Sequence, residues 1–247
     1  QYRLSPSHPW RDFDVSSHRI YVLHDIPSTP WVQTPYLAGN VSLPWTEVLD
    51  QACAWAFGAT TAEEAACGVT RGVYELGPGT VTYDCPGGGS SHYSAGVFDC
   101  TAFLERIRGG PGNGYYVNCS DCATFVATFA NALGCDLWQS RMGWGFALNP
   151  LLGIGATAWQ PACGWTSFSY HEVAWSGSCD VNDRVWDACL QVDSDPDPTS
   201  PPHWPELPCD MRFGEPGDSD YRDRLATPAG APACDPQPTT RQRRAII

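Results

Sequence analysis

The chain predicts an α+β fold: helices in its first part, the last of them beginning on a cysteine, and an antiparallel β-hairpin after them that carries a histidine and then an aspartate. Two observations predict it. Four stretches with apolar residues at helical spacing are complete by Gly134. The two longest alternating stretches follow, over 168–175 and 184–193. Helices then strands, without regular alternation, is the α+β pattern.

Taken in order, residues 1–45 read as an extended N-terminal arm. Proline and aromatic residues dominate it, among them Pro6, Pro9, Trp10, Pro27, Pro30, Trp31 and Pro35, and one strand is expected at 20–24. Asn40-Val41-Ser42 is a glycosylation sequon. Pro44 introduces a helix over 46–57, with Cys53, Ala56 and Phe57 on one face. A second helix starts at Thr60, the expected N-cap, with Glu63 in the capping-box position. It runs to about residue 76 and stops at Gly77-Pro78-Gly79. Residues 81–84 form a short strand. Residues 86–91 are a loop without the lysine and helix start of a phosphate-binding loop. A third helix covers 99–107, and the turn-rich segment 109–114 leads to the central helix. After Gly134 a segment rich in Trp and Gly, 138–165, is expected to be irregular but packed. The strands 168–175 and 184–193 then form a hairpin around 176–183. The expected layout is an arm at 1–45, a core at 46–195 and a Pro- and Asp-rich tail at 196–247, draped or disordered, whose basic end is solvated.

Composition bounds the function. A chain of 247 residues can bury one sizeable core. Its 14 basic and 27 acidic residues give a net charge of −13, which argues against a nucleic-acid partner. No run approaches the roughly 18 apolar residues of a membrane span. No charged start followed by an apolar segment appears, and Gln1 reads as a processed end. Twelve cysteines in a chain without lysine point to an oxidising compartment, several disulfides and a secreted or extracellular protein.

The stretch that carries chemistry is Asn118-Cys119-Ser120-Asp121-Cys122-Ala123. Asn118 is a good N-cap, with Asp121 three residues on. Cys122, Val126, Phe129, Ala130 and Leu133 share an apolar face, and Gly134 closes the helix. Cys119 then stands in the first turn, where backbone N–H groups and the helix dipole favour thiolate over thiol. The plainer alternative makes Cys119 and Cys122 two more disulfide or core cysteines. Cys122 lies deeper on the core stripe and reads as wall or disulfide partner. The pair is half a zinc site, but nothing completes it, so no metal or cofactor is expected.

A loop centred near Cys179 pairs residues whose numbers sum to about 358–360, which sets His171 opposite 187–189. Asp187 then reaches the imidazole, whereas Asp193 lies about 20 Å further along the strand. Thiolate, imidazole and carboxylate are the parts of a nucleophile, a base and an orienting group. Glu172 points to the other sheet face. His8, His18, His24, His92 and His203 lie in segments without a matching carboxylate strand. No pair of carboxylates faces one cleft as glycoside hydrolysis requires.

On these residues the chain resembles the transglutaminase-like superfamily. Cys119-Ser120-Asp121-Cys122-Ala123 with Gly134 is similar to the Cys-x-Asp-aromatic-Ala helix of its bacterial members. His171 with Trp175 resembles the histidine strand, and Val185-Trp186-Asp187 the aspartate strand. Helices over 46–76 resemble those that precede the core, so the likeness spans roughly 45–195. It implies a papain-like fold in which Cys119 is the nucleophile, His171 the base and Asp187 its orienting partner. The implied reaction is acyl transfer on an amide of a protein or peptide, to water or to an amine. It needs no cofactor, and no calcium loop of the EF-hand type is present. The Cys119 N–H is one expected oxyanion donor, with Asn118 a candidate for the second. Cys122 in the aromatic position, the segment 138–165 and the acidic tail depart from the family and leave the substrate open. The competing expectation is a non-catalytic, disulfide-rich binding or structural module, in which Cys119 is oxidised to Cys122 or Cys135.

Overall fold

A computed structural model describes residues 3, 5–11, 17–31, 44–85, 87, 96–110, 112, 114–159 and 164–247. The sequon at 40–42, His92, Cys163 and most of the 86–91 loop lie outside the described residues. The helices are α1 (Thr46–Trp55), α2 (Ala62–Tyr74), α3 (Cys100–Ile107), α4 (Cys119–Ala132) and α5 (Tyr221–Leu225). The strands of the first half are β1 (Thr82–Tyr83), β2 (Val97–Phe98), β3 (Tyr116–Val117), β4 (Trp138–Met142), β5 (Phe146–Ala147), β6 (Leu152–Gly153) and β7 (Ser167–Phe168). Those of the second half are β8 (His171–Trp175), β9 (Arg184–Trp186), β10 (Leu190–Asp193), β11 (Pro205–Glu206), β12 (Cys209–Arg212), β13 (Pro236–Gln242) and β14 (Ala245–Ile246).

The architecture is α+β. A five-stranded antiparallel sheet has the order β12-β9-β8-β4-β13. Helix α4 lies across β8 and β4, and α1 and α2 pack on α4, with α2 also reaching β12 and β9. A first apolar core fills the space between sheet and helices; Phe103 stacks on Phe125 at 4.0 Å and Trp55 meets Phe129 at 5.2 Å. A second core, with Val173, Trp175, Phe213 and Tyr221, covers the opposite sheet face. With both faces covered, all five residues of β8 are buried. Among the described residues no helix is long and apolar enough to cross a membrane.

The starts of the first helices follow local chemistry, with one shift. Asp99 caps α3 by accepting from the Ala102 N–H at 2.8 Å. For α2 the cap is Thr61, not Thr60: its hydroxyl accepts from the Glu64 N–H, and the Glu64 carboxylate reaches back to the Thr60 N–H and hydroxyl. The capping box is therefore offset by one residue. On α1 the buried side is Val48 and Ala52, while Phe57 beyond the helix end is 93% exposed.

Three expectations change. No strand forms at 20–24; that segment is extended chain, held on α1 where Arg19 and Tyr21 meet Asp50 at 2.5 and 2.7 Å. Next, segment 138–165 begins with β4, a central strand of the sheet. Its buried residues include Gln139 and Ser140, so no apolar alternation marks it; their partners lie on the C-terminal segment, at Arg244 N–H and Gln237 O. Last, the tail is not draped. Residues 196–247 supply β12 and β13 to the central sheet, Arg241 and Arg243 lie against the Trp138 ring at 3.5 and 3.8 Å, and Arg244 is buried. The basic end is satisfied by aromatic faces and carboxylates, not by solvent.

Cys67 and Cys209 form a disulfide that ties α2 to β12 across 142 residues, and Cys85 is also disulfide-bonded. Cys53, Cys100, Cys119, Cys122, Cys135, Cys179, Cys189 and Cys234 are free thiols.

Candidate active site

Helix α4 starts where Asn118 caps it. The Asn118 side chain accepts from the Asp121 N–H at 3.1 Å, and the Asp121 carboxylate accepts from the Asn118 N–H at 3.0 Å. This reciprocal pair fixes the helix mouth and puts Cys119 in the first turn, at the positive end of the helix dipole. It also commits both the amide oxygen and the backbone N–H of Asn118.

Cys119 is 7% exposed and His171 is fully buried. The imidazole lies beside the Cys119 sulfur. Its Nε2–H donates to Asp187 Oδ2 at 2.8 Å, and Nδ1 makes no hydrogen bond, which leaves it as the ring nitrogen open to exchange a proton with the sulfur. Burial pulls the ring toward its neutral form. The Asp187 carboxylate and the Cys119 sulfur outweigh burial, and the pKa of His171 is raised to about 10. Phe168 stacks on the ring at 5.3 Å.

The hairpin register pairs Ala174 with Trp186 and Trp175 with Val185, as a turn centred near Cys179 requires. The second strand differs from its expected form. It breaks after Trp186, and β10 joins a separate three-stranded sheet with β6 and β11. The break is a turn in which Asp187 Oδ1 accepts from the Cys189 N–H at 2.7 Å. Asp187 Oδ2 accepts a second bond from the Tyr221 hydroxyl at 2.8 Å. Three donors therefore fix the carboxylate that orients His171.

The neighbouring thiols differ from Cys119. Burial pushes the Cys122 and Cys189 thiols up, and the two sulfurs contact each other. Both are fully buried, so neither presents a thiolate to solvent. Tyr83 forms part of the wall, and burial together with the nearby Cys189 and Cys119 sulfurs pushes its phenol up.

Behind the site, Glu172 and Arg244 are both buried and their carboxylate and guanidinium meet at 2.8 Å. Asp193 does not approach His171; it holds His203 at 2.7 Å. His203 thus has a strand carboxylate after all, on β10. The sequence reading missed Tyr221, Arg244 and the link between Ser120 and Glu172. Tyr221 follows Asp187 by 34 residues through an irregular segment, and no spacing rule connects them.

Among the described residues no group of three or more His, Cys, Asp and Glu side chains is arranged to hold a metal ion. A cleft of about 730 Å³ lies away from the site, between residues 20–24 and helices α1 and α2. A scan against protein-family models, a search of curated proteins and a search of solved structures each returned no match.

Proposed function

We propose that the chain is a cysteine-dependent acyl transferase or hydrolase acting on amide bonds of proteins or peptides, with a papain-like core of the transglutaminase-like kind. The observation that carries the reading is one line of contacts: a thiol at a helix mouth, the imidazole beside it, and a carboxylate bonded to the far ring nitrogen. The raised pKa of His171 favours the charged, proton-donating form of the ring at neutral pH.

The thiolate of Cys119 attacks the amide carbonyl carbon. The negative charge moves to the carbonyl oxygen, where the Cys119 N–H and the helix dipole meet it. The His171 imidazolium passes its proton to the departing nitrogen, the C–N bond breaks and a thioester remains. Neutral His171 then takes a proton from water or an amine, which attacks the thioester and releases the thiolate. Asp187 keeps the ring oriented through both steps. Water gives an amidase or peptidase; an amine gives a transglutaminase.

The Cys67–Cys209 disulfide supports an oxidising, extracytoplasmic setting. The alternative module expects Cys119 oxidised to a partner such as Cys122 or Cys135, and the free thiols at all three positions favour the catalytic reading. The test is ammonia release from glutamine-containing peptides, with and without added amine, before and after iodoacetamide. Turnover that disappears on alkylation of Cys119 supports the reading. Turnover untouched by that alkylation, or none on any amide offered, removes it.

A further inference from the structure

We propose that Glu172 and Arg244 are positioning residues, a buried ion pair that holds the mouth of α4 and the histidine strand at one spacing. The inference rests on the reading of Cys119 and His171 as the reacting pair. Glu172 follows His171 in the chain, and Ser120 follows Cys119. The Ser120 hydroxyl donates to Glu172 Oε2 at 2.6 Å, so the immediate neighbours of the two reacting residues are bonded to each other. Arg244 completes the brace from the last turn of chain. Its Nη1 lies 2.8 Å from Glu172 Oε1 and donates to Thr124 Oγ1 at 2.8 Å; its Nη2 donates to Glu172 Oε2 at 3.2 Å. Its backbone N–H donates to Gln139 Oε1 at 3.2 Å. One side chain and its peptide thus touch α4, β8 and β4. Arg141 adds a second cation 3.7 Å from Glu172 Oε2.

Stability alone does not call for this arrangement. Taking two charges out of water is costly, and apolar side chains of the same volume serve a core as well or better. What the ion pair supplies is direction. A planar guanidinium meets a carboxylate in few geometries, whereas packed methyl groups tolerate sliding. Misplacement of reacting groups by 1 Å costs about a hundredfold in rate, so a brace between the two elements acts on the chemistry.

The test needs no substrate. Alkylation of Cys119 by iodoacetamide is followed against pH, with the NMR titration of the His171 ring and the melting temperature as companions. The double variant Glu172→Met, Arg244→Met removes both charges and keeps apolar volume. The expected result is a folded protein with a melting temperature near that of the parent, alkylation at neutral pH slowed tenfold or more, and a displaced pH profile. Ser120→Ala cuts only the bond between helix mouth and carboxylate, and a smaller displacement in the same direction is expected. A folded double variant with the parental rate and profile overturns the proposal; if the double variant fails to fold, an unchanged Ser120→Ala profile overturns it instead. A parent protein whose Cys119 reacts no faster than a free cysteine overturns the nucleophile reading itself, which separates the two failures.

Discussion

Replacing Asp187 by asparagine tests the electrostatics of the site most directly. The shape is retained and one charge is removed. In the parent, the rise of the His171 pKa from 6.5 to about 10 corresponds to roughly 5 kcal/mol favouring the protonated ring. Because the folded-state value lies above the unfolded one, this contribution is fully present below pH 6.5 and is lost as pH rises through about 10. In Asp187→Asn the burial of His171 remains and its main counterweight is gone. The ring then titrates below its ordinary value and is neutral at pH 7, and the sign of its linkage reverses. The asparagine amide also favours the wrong tautomer, and a turnover loss of the order of 10³ to 10⁴ is expected. Ring-labelled histidine NMR across pH 4–11 reads the pKa, and iodoacetamide kinetics read the thiolate. A parental ring that titrates near 6.5, or a variant ring that still titrates near 10, refutes the reasoning.

Other substitutions separate neighbouring roles. Cys119→Ala is expected to abolish turnover and the fast alkylation phase, whereas Cys122→Ala costs about 1–2 kcal/mol by urea denaturation and leaves turnover within a few-fold. Tyr221→Phe removes one of the three donors to Asp187; a loss of about 1.5–3 kcal/mol in stability and about tenfold in kcat is expected, with KM nearly unchanged. Opening the Cys67–Cys209 bridge by serine substitution frees a loop of 142 residues, which loop entropy values at about 5 kcal/mol; a thermal melt with and without the bridge checks it.

What the sequence made legible is what short-range chemistry controls. The Asn118 and Asp121 capping box sets the start of α4, and the turn near Cys179 sets the pairing of β8 with β9. Together they bond His171 to Asp187 and bring the mouth of α4 beside the ring. The sheet partners of β8 were not legible on the other side. Strand β4 is marked by no alternation because Gln139 and Ser140 point into the protein, and their partners come from a segment about 100 residues away. The C-terminal arginines failed for the same reason. A basic run reads as solvated until a buried glutamate and a tryptophan face appear beside it, and neither is local.

The polar content of α4 is where these long-range links converge. All fourteen of its residues are buried, so it has no solvent face on which to place polar groups. A buried polar side chain is costly unless bonded, and most of those on α4 act as anchors. Ser120 binds Glu172. Thr124 donates to the Ser120 carbonyl and accepts from Arg244. Asn131 donates to the carbonyls of Thr29 and Leu137 and accepts from the Leu137 N–H at 2.6 Å. Thr128 is the exception, with a hydroxyl left unpaired, although its carbonyl accepts from the Trp31 indole at 2.8 Å. An apolar helix in the same place could rotate or slide by exchanging one packing for another. This one cannot move without breaking bonds to the arm, the sheet and the C-terminal segment at once, and the sulfur at its mouth is therefore held beside the imidazole.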